Sequence, residues 1–210
     1  MYRKFGKRTV DIIFGIIGCI CFAIAFVVVA PLIYLTDRGP IFYNATRRGK
    51  NGKEFKMYKF RSMMVNAPDL KNPDGSTYNS DNDPRVTKIG KLMRKTSVDE
   101  LPQFINVLIG DMSMIGPRPT LATKPFSEVD QSTIRRYDVR PGVTGYSQAY
   151  FRNSVTQSEK FEHDCYYVDN LSFMLDVKIF LKTLLSVVMR ENIFVEQGKS
   201  AEKEKVGVEE

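Results

Sequence analysis

Residues 12–35 read IIFGIIGCICFAIAFVVVAPLIYL, an apolar run of 24 residues without one charged side chain. A helix of that length, at about 1.5 Å per residue, could cross a hydrocarbon core about 30 Å thick. A cleaved signal peptide fits less well, because the run is long and Ala30-Pro31 is a poor cleavage context. The sequence therefore predicts a membrane-inserted helix within residues 1–38.

Positive charge lies on both sides of this run, so the positive-inside rule gives it no single orientation. The basic residues are Arg3, Lys4, Lys7 and Arg8 before it, and Arg38, Arg47, Arg48 and Lys50 after it. Two topologies stay open. In one, the helix is re-entrant and bends near Gly15, Gly18 or Pro31, where freed backbone groups would need local partners. In the other, it spans the membrane with the N-terminus outside.

Composition restricts the class of protein. Lys and Arg number 31 against 24 Asp and Glu, and the net charge of +7 favours anionic partners. A nucleic-acid-binding protein would explain the charge but not the apolar run, and no nucleic-acid-binding motif is present. Cys19, Cys21 and Cys165 have no disulfide or zinc spacing, and His163 is the single histidine. A reducing compartment is therefore expected.

Beyond the apolar run, the pattern predicts a small hairpin followed by helices. Two strands, Ile41–Thr46 and Glu54–Phe60, flank a glycine-containing turn, and residues 65–84 form a polar loop that could cover a site. Helices are expected at Lys88–Arg94, Ser127–Tyr137 and Ser172–Met189. Apolar residues recur at helical spacing in the last helix, which could face a core or lie in the membrane interface.

The segment Ser97–Thr120, SVDELPQFINVLIGDMSMIGPRPT, carries the chemistry. Ser97 and Glu100 have capping-box spacing, so a helix is expected to begin here, although Pro102 could move the cap to Asp99. Carboxylates at a helix start suit a nucleophile or a cation ligand. Further along, Pro117 and Pro119 restrict the backbone around Arg118, whose guanidinium fork matches phosphate oxygens.

Five ordered motifs give the chain a family resemblance from about Tyr2 to about Arg190. They are KR-x-x-D at Lys7, Arg8 and Asp11, YKFRSM at Tyr58–Met63, the DEL/GDMS/GPRP block, VRPGVTG at Val139–Gly145, and FEHDCYYVDNLSFMLDVKI at Phe161–Ile179. The sequence resembles the bacterial sugar transferases, specifically the small monotopic phosphoglycosyl transferases. These enzymes move a phosphosugar from a nucleotide sugar to a polyprenol phosphate.

The resemblance implies a role for several residues. Asp99 would attack the sugar-bearing phosphorus and release UMP, and Glu100 would serve the lipid phosphate. Mg²⁺ would be held by Asp99, Glu100 and Asp176. Lys59 and Asp176 are further implied catalytic residues, and the implied substrate-binding residues are Arg61, Arg94, Pro117, Arg118, Pro119, Gln148 and Arg152.

The sequence departs from the family at two places. Ala23-Ile24 stands where relatives commonly carry Ser-Pro in the membrane helix, which leaves the re-entrant bend without a central proline. In the nucleotide-binding stretch Val143–Arg152, expected to be mostly extended, Phe151 replaces a glycine and changes how closely backbone can approach a ligand.

We therefore predict a mainly helical α+β fold with a membrane-inserted, re-entrant helix, a small β-hairpin and amphipathic interfacial helices. Residues 39–195 would form a catalytic domain on the cytoplasmic side of the bacterial inner membrane, and residues 196–210 a disordered tail. The predicted partners are a UDP-sugar, undecaprenyl phosphate and the inner leaflet, with no nucleic acid; a homodimer is left open. The alternative is a non-catalytic membrane adaptor of the same fold.

Overall fold

The computed structural model describes residues 2–70, 78, 80, 82–151 and 154–189, which form a mainly helical α+β structure. A π-helical turn, Tyr2–Gly6, precedes the first α-helix. The helices are α1 Lys7–Asp37, α2 Lys88–Thr96, α3 Gln103–Ile109, α4 Tyr146–Tyr150, α5 Gln157–Asp169 and α6 Phe173–Met189. The strands are β1 Ala45–Arg48, β2 Glu54–Met57, β3 Ser113–Ile115, β4 Thr120–Leu121 and β5 Gly142–Thr144.

Helix α1 contains the whole apolar run and confirms the predicted N-terminal helix. Among the described residues it is the one helix long and apolar enough to cross a membrane, and only 17% of its most apolar window is buried within the protein. Its exposed side chains include Ile13, Ile16, Ile20, Ile24, Val27 and Leu35. Because a soluble protein rarely leaves so much contiguous apolar surface exposed, this helix is consistent with membrane association.

Both ends of α1 are fastened to the rest of the protein. Near its start, the Arg8 guanidinium donates to the carbonyls of Val107 and Leu108, each at 2.7 Å. At its end, Asp37 receives two hydrogen bonds of 2.6 Å from Arg61. The expected bend near Gly15, Gly18 or Pro31 is not seen, because the helix is uninterrupted between these points. Contacts with the globular part are therefore spread over about 30 residues of helix.

The middle of α1 packs closely because it carries glycines where α3 crosses it. A Cβ added at Gly18 would lie 2.1 Å from Cδ1 of Phe104, and one at Gly15 would lie 2.7 Å from Cδ2 of Leu108. Further along, Val29 and Ile33 share a core with Phe60 of the hairpin and Met93 of α2. Helix α1 is therefore part of the core that supports the rest of the fold.

The predicted hairpin is confirmed, with shifted ends. Strands β1 and β2 pair antiparallel from Ala45↔Met57 to Arg48↔Glu54, and β4 pairs with the other edge of β1. The turn between β1 and β2 places Asn51 and Gly52 at positive φ. An isolated bridge between Phe42 and Phe60 continues the pairing beyond the strands. A second, two-stranded sheet pairs β3 and β5 in parallel.

Helices α2 and α6 confirm two of the predicted helices, but the prediction of a helix at Ser127–Tyr137 is wrong. That segment holds two short 3₁₀ turns, Phe126–Glu128 and Ile134–Tyr137. Between them, the Asp130 carboxylate accepts a hydrogen bond from the Ser132 N–H at 2.9 Å. Local bonds of this kind compete with helical hydrogen bonds, which explains why no α-helix forms here.

The stretch Val143–Arg152 is also less extended than predicted, because helix α4 follows directly after β5. In α6, one face is buried, with Ile179 fully covered, while Phe173, Met174, Leu181, Leu184 and Leu185 are exposed. This helix therefore both faces the core and presents apolar surface. The predicted tail and Arg152 lie outside the described residues.

Candidate active site

The acidic pair lies in a tight 3₁₀ turn, Val98–Glu100, between α2 and α3. The capping-box prediction is wrong, since Ser97 has φ of 56° and ends α2 instead of capping a new helix. A left-handed residue is typical of a helix C-terminus, whereas an N-cap is extended. Helix α3 begins only at Gln103, directly after Pro102. The turn leaves Asp99 2% exposed and Glu100 half-buried.

Lys59 meets both acids. Its Nζ lies 2.7 Å from Oδ2 of Asp99 and 3.4 Å from Oε1 of Glu100. Lys59 lies two residues beyond the end of β2. The next residue, Phe60, donates its N–H to the Asp99 carbonyl at 3.0 Å. The side-chain pair and the backbone bond together fix the lysine against the turn.

Asn106 of α3 holds the same strand from the other side. Its Oδ1 accepts the Tyr58 N–H at 2.9 Å, and its Nδ2 donates to the Lys56 carbonyl at 2.8 Å. The side chain is fully buried. Sequence analysis missed this residue. The hint in the sequence was a single amide side chain within the apolar segment FINVLI. Asn106 therefore positions Lys59 without contacting either acid.

Arg118 approaches the pair from the opposite loop. Its Nη2 lies 3.7 Å from Oε1 of Glu100, while its side chain is 60% exposed. Backbone bonds fix the loop, because the Pro117 carbonyl accepts the Gly142 N–H and the Arg118 carbonyl accepts from Arg136, both at 2.9 Å. Pro119 follows, half-buried, before β4. The backbone is thus held while the guanidinium faces solvent, where a ligand can reach it.

The electrostatics of the pair favour an ionised Glu100. Burial opposes its ionisation, but the charges of Lys59 and Arg118 outweigh burial and hold the pKa of Glu100 below its usual value. Arg94 adds positive charge nearby. Burial lowers the pKa of Arg94 while the Asp99 charge opposes that effect, and its Nε donates to Ser62 at 3.0 Å. Two carboxylates and three cations therefore share one small region.

Three of the remaining predicted residues, Asp176, Arg61 and Gln148, have hydrogen-bond partners outside the acidic pair. Asp176 accepts hydrogen bonds from Tyr2 at 2.5 Å, Lys7 at 2.7 Å and Tyr167 at 2.8 Å. These groups engage both of its oxygens, and no contact among the described residues links Asp176 to the acidic pair, so its place in the metal set stays a prediction. Asp176 fastens the N-terminal turn to α6.

Arg61 is likewise engaged away from the acidic pair, with Asp37 and with the Pro40 and Met63 carbonyls. Gln148 lies on α4, where its Nε2 donates to the Val143 carbonyl at 3.4 Å and its Oε1 is buried. No contact in the described structure links Gln148 to the acidic pair. The substrate-binding roles of Arg61 and Gln148 stay predictions.

The family model for bacterial sugar transferases matches residues 2–190. The chain belongs to the bacterial sugar transferase family. It is 38% identical over 187 residues to the uncharacterized sugar transferase EpsL of Bacillus subtilis, with 89% of each chain covered. This match extends over nearly the whole length of both proteins.

Two longer members of the family carry names that state an activity. One is the UDP-N-acetylgalactosamine-undecaprenyl-phosphate N-acetylgalactosaminephosphotransferase of Aeromonas hydrophila, 40% identical over 88% of this chain and 44% of its own. The other is the UDP-glucose:undecaprenyl-phosphate glucose-1-phosphate transferase of Escherichia coli, 37% identical over 85% of this chain and 39% of its own. This bacterial sugar transferase spans about two fifths of the length of these two relatives.

The side chains of the candidate site provide only part of a binding site for a divalent cation. The described residues contain no group of three His, Cys, Asp or Glu side chains able to hold a metal ion. Mg²⁺, however, commonly binds through one or two carboxylates and takes its other oxygens from water and substrate phosphates. Asp99 and Glu100 supply two such carboxylates, so the donor set suits Mg²⁺ that arrives with a phosphate-bearing substrate.

Proposed function

We propose that this protein transfers a phosphosugar from a UDP-sugar to undecaprenyl phosphate, in two steps through an intermediate held on Asp99, with release of UMP. The reaction would begin the assembly of a surface glycan at the cytoplasmic face of the bacterial inner membrane. Family membership and the activities named for the Aeromonas and Escherichia relatives support this reaction class. Those two relatives use different sugars, so no sugar is assigned here.

One observation carries the proposal: the nearly buried Asp99 is paired with Lys59, and its neighbour Glu100 lies 3.7 Å from the exposed Arg118. A buried ion pair contributes little to stability compared with apolar packing, because both charges must be desolvated. Its presence beside further cations is typical of a catalytic site. A non-catalytic adaptor would have no use for this arrangement.

In the first step, an Asp99 oxygen attacks the phosphorus that bears the sugar. The bond from that phosphorus to the bridging oxygen breaks, and UMP leaves with the bond's electron pair. Lys59 and Arg118 stabilise the charge on the phosphate oxygens, which costs little reorganisation because both are already in place. A carboxylate is an established nucleophile in phosphoryl transfer.

In the second step, an oxygen of the lipid phosphate attacks the phosphorus of the aspartyl phosphosugar. The bond between phosphorus and the carboxylate oxygen breaks, which restores Asp99 and completes the transfer. The lowered pKa makes Glu100 a weak base toward a lipid phosphate that is already mostly ionised. Positioning the acceptor and sharing a cation are therefore the roles we assign to Glu100.

When bound by Asp99 and Glu100, Mg²⁺ would neutralise charge between the carboxylates and the diphosphate. EDTA should therefore abolish UMP release by the detergent-solubilised enzyme, and Mg²⁺ or Mn²⁺ should restore it. Full activity after exhaustive chelation would remove the metal from the proposal and leave the cationic side chains to do this work.

The decisive experiment follows sugar-labelled donor into the protein without lipid acceptor. Wild type should acquire a phosphosugar mass on the peptide that holds Asp99, and Asp99→Asn should lose both the adduct and UMP release. Glu100→Gln should form the adduct slowly and then stall when lipid phosphate is added. Asp138→Asn, at an exposed site, is the matched control. An adduct that persists in Asp99→Asn would refute the assignment of the nucleophile.

A further inference from the structure

A buried ion pair lies behind the loop that carries Arg118. The Nη2 of Arg136, in the 3₁₀ turn Ile134–Tyr137, lies 2.6 Å from Oδ2 of Asp164 on α5, and its Nε donates to the same oxygen at 3.2 Å. Each residue is only 3% exposed. The part of the chain that the structure describes shows no hydrogen bond or ion pair between Asp164 and the acidic pair. The reaction described above therefore gives this buried pair no role.

Stability alone does not account for the pair. The attraction between two buried charges is largely offset by the cost of removing them from water, and apolar residues of similar size often stabilise a fold as well. The surroundings suit apolar packing, since the centre of the Phe161 ring lies 4.1 Å from the guanidinium carbon of Arg136. What apolar residues could not supply at this place is a directed hydrogen-bond donor.

That donor reaches the backbone of Arg118. The Nη2 of Arg136 donates to the Arg118 carbonyl at 2.9 Å. Pro117 and Pro119, on either side, have no N–H, so this loop must be held largely through its carbonyls and side chains. Asp164 fixes the direction of the same guanidinium. Arg136 thereby connects α5 to the residue whose side chain approaches the acidic pair.

A second hydrogen bond holds the loop two residues further along. The hydroxyls of Tyr137 and Thr120 lie 2.9 Å apart, and the Nη1 of Arg136 donates to the Tyr137 hydroxyl at 3.3 Å. The guanidinium therefore acts on both sides of the loop. It donates directly to the Arg118 carbonyl, and it donates to the hydroxyl that meets Thr120.

We infer that Asp164, Arg136 and Tyr137 are positioning residues, which set the place of the Arg118 guanidinium against substrate phosphate without contacting the substrate. This inference rests on the proposed function, in which Arg118 stabilises charge on the phosphate oxygens. The Arg118 side chain is 60% exposed and its ion pair with Glu100 is long, at 3.7 Å, so its place depends chiefly on how its backbone is held. A misplacement of about 1 Å can slow a reaction about a hundredfold, so a fixed backbone here serves the chemistry.

The test is a double-mutant cycle that measures binding of UDP, whose terminal phosphate stands in for the sugar-bearing phosphate of the donor. Equilibrium dialysis with Mg²⁺ gives the UDP affinity of each detergent-solubilised, full-length protein, and thermal melting checks folding. Arg118→Ala should weaken UDP binding by at least about tenfold, and Asp164→Asn by at least about threefold. In the Arg118→Ala background, Asp164→Asn should cause no further loss, because the residue through which it acts is gone.

Asp169→Asn is the matched control. Asp169 lies on the same helix as Asp164, and its ion pair with Arg135, at 3.0 Å, joins the same two elements as the buried pair. This second pair is exposed, with side chains 43% and 55% accessible. Asp169→Asn should therefore bind UDP as wild type does.

Equal losses from Asp164→Asn in the two backgrounds would show a general effect on the protein and would overturn the inference. Unchanged UDP affinity in a folded Asp164→Asn protein would overturn it as well. If the unpaired Arg136 charge prevents this variant from folding, Tyr137→Phe takes its place in the cycle, since it removes only the hydroxyl that meets Thr120. Unchanged UDP affinity, or an equal loss in both backgrounds, would then overturn the inference.

Failure of the proposed function is a distinct result, because it would appear as the absence of an adduct in wild type from every UDP-sugar tried. The cycle does not depend on transfer. A loss of UDP affinity from Asp164→Asn that requires Arg118 would still support the positioning role at a phosphate site. A wild-type protein that does not bind UDP would overturn both.

Discussion

Replacing Asn106 with alanine removes two hydrogen bonds that hold the strand leading to Lys59. The Tyr58 N–H and the Lys56 carbonyl would lose partners at 2.9 Å and 2.8 Å. An interior polar group left without a partner costs about 1–3 kcal/mol, and two such groups cost about 2–6 kcal/mol. Both groups are only partly buried, so water can reach them in part, and we expect a loss of about 2–3 kcal/mol.

Thermal melting in detergent measures this loss. For a chain of this size, 1 kcal/mol corresponds to about 2–4 °C, so Asn106→Ala should melt about 4–12 °C below wild type. The functional effect should exceed the effect on folding. At a temperature well below the melting point, adduct formation should slow by at least about tenfold, or ~1.4 kcal/mol of barrier, because Lys59 is no longer fixed beside Asp99.

Asn44→Ala is the control for this variant, since Asn44 is exposed shortly before β1. It should match wild type in both measurements. An Asn106→Ala protein with unchanged melting and unchanged adduct formation would refute the argument that Asn106 positions the lysine. A lower melting point with normal adduct formation would limit Asn106 to a role in stability.

Three further predictions follow from the geometry. Arg118→Lys should melt like wild type, because the side chain is 60% exposed, yet lose at least about tenfold in transfer rate, since lysine cannot form the bidentate contact. Gly18→Ala should destabilise the protein by about 1–3 kcal/mol through its clash with Phe104, and Phe104→Leu in the same chain should relieve the loss; additive effects would contradict this. Because Arg8 and Asp37 fasten both ends of the uninterrupted α1 to the same globular part, single cysteines at Arg3 and Lys50, in an otherwise cysteine-free protein, should both resist an impermeant thiol reagent in intact cells. Labelling at Arg3 alone would establish a spanning helix.

The elements that sequence analysis identified are those whose pattern is long or locally complete. The apolar run gave α1, the glycine-containing turn gave the hairpin, and apolar spacing gave α6. The segment Ser127–Tyr137 failed because short polar side chains bond to their own backbone there. The capping box failed because Ser97 ends the preceding helix, which the four residues of the motif do not reveal.

The same distinction applies to the site. The motifs predicted a site around the acidic pair, Asp99 and Glu100. The structure places Lys59 and Arg118 beside this pair, as the resemblance implied. Asp176 could not be placed from the sequence, because its partners Tyr2 and Lys7 lie about 170 residues away along the chain. Asn106 was missed for a related reason. A single amide in an apolar helix becomes meaningful only when the strand it contacts is known.

The aromatic contacts between α1 and the hairpin have a consequence for protein engineering. Phe22 and Phe26 of α1 lie against Phe60, with ring centres 5.6 Å and 6.3 Å apart, and Phe60 directly follows Lys59. A truncated fragment that begins after residue 38 would present this uncovered aromatic surface to water. Such a fragment should aggregate or lose its active-site geometry, so preparation of a soluble enzyme would require replacing the outward-facing residues of α1 while keeping its inward face.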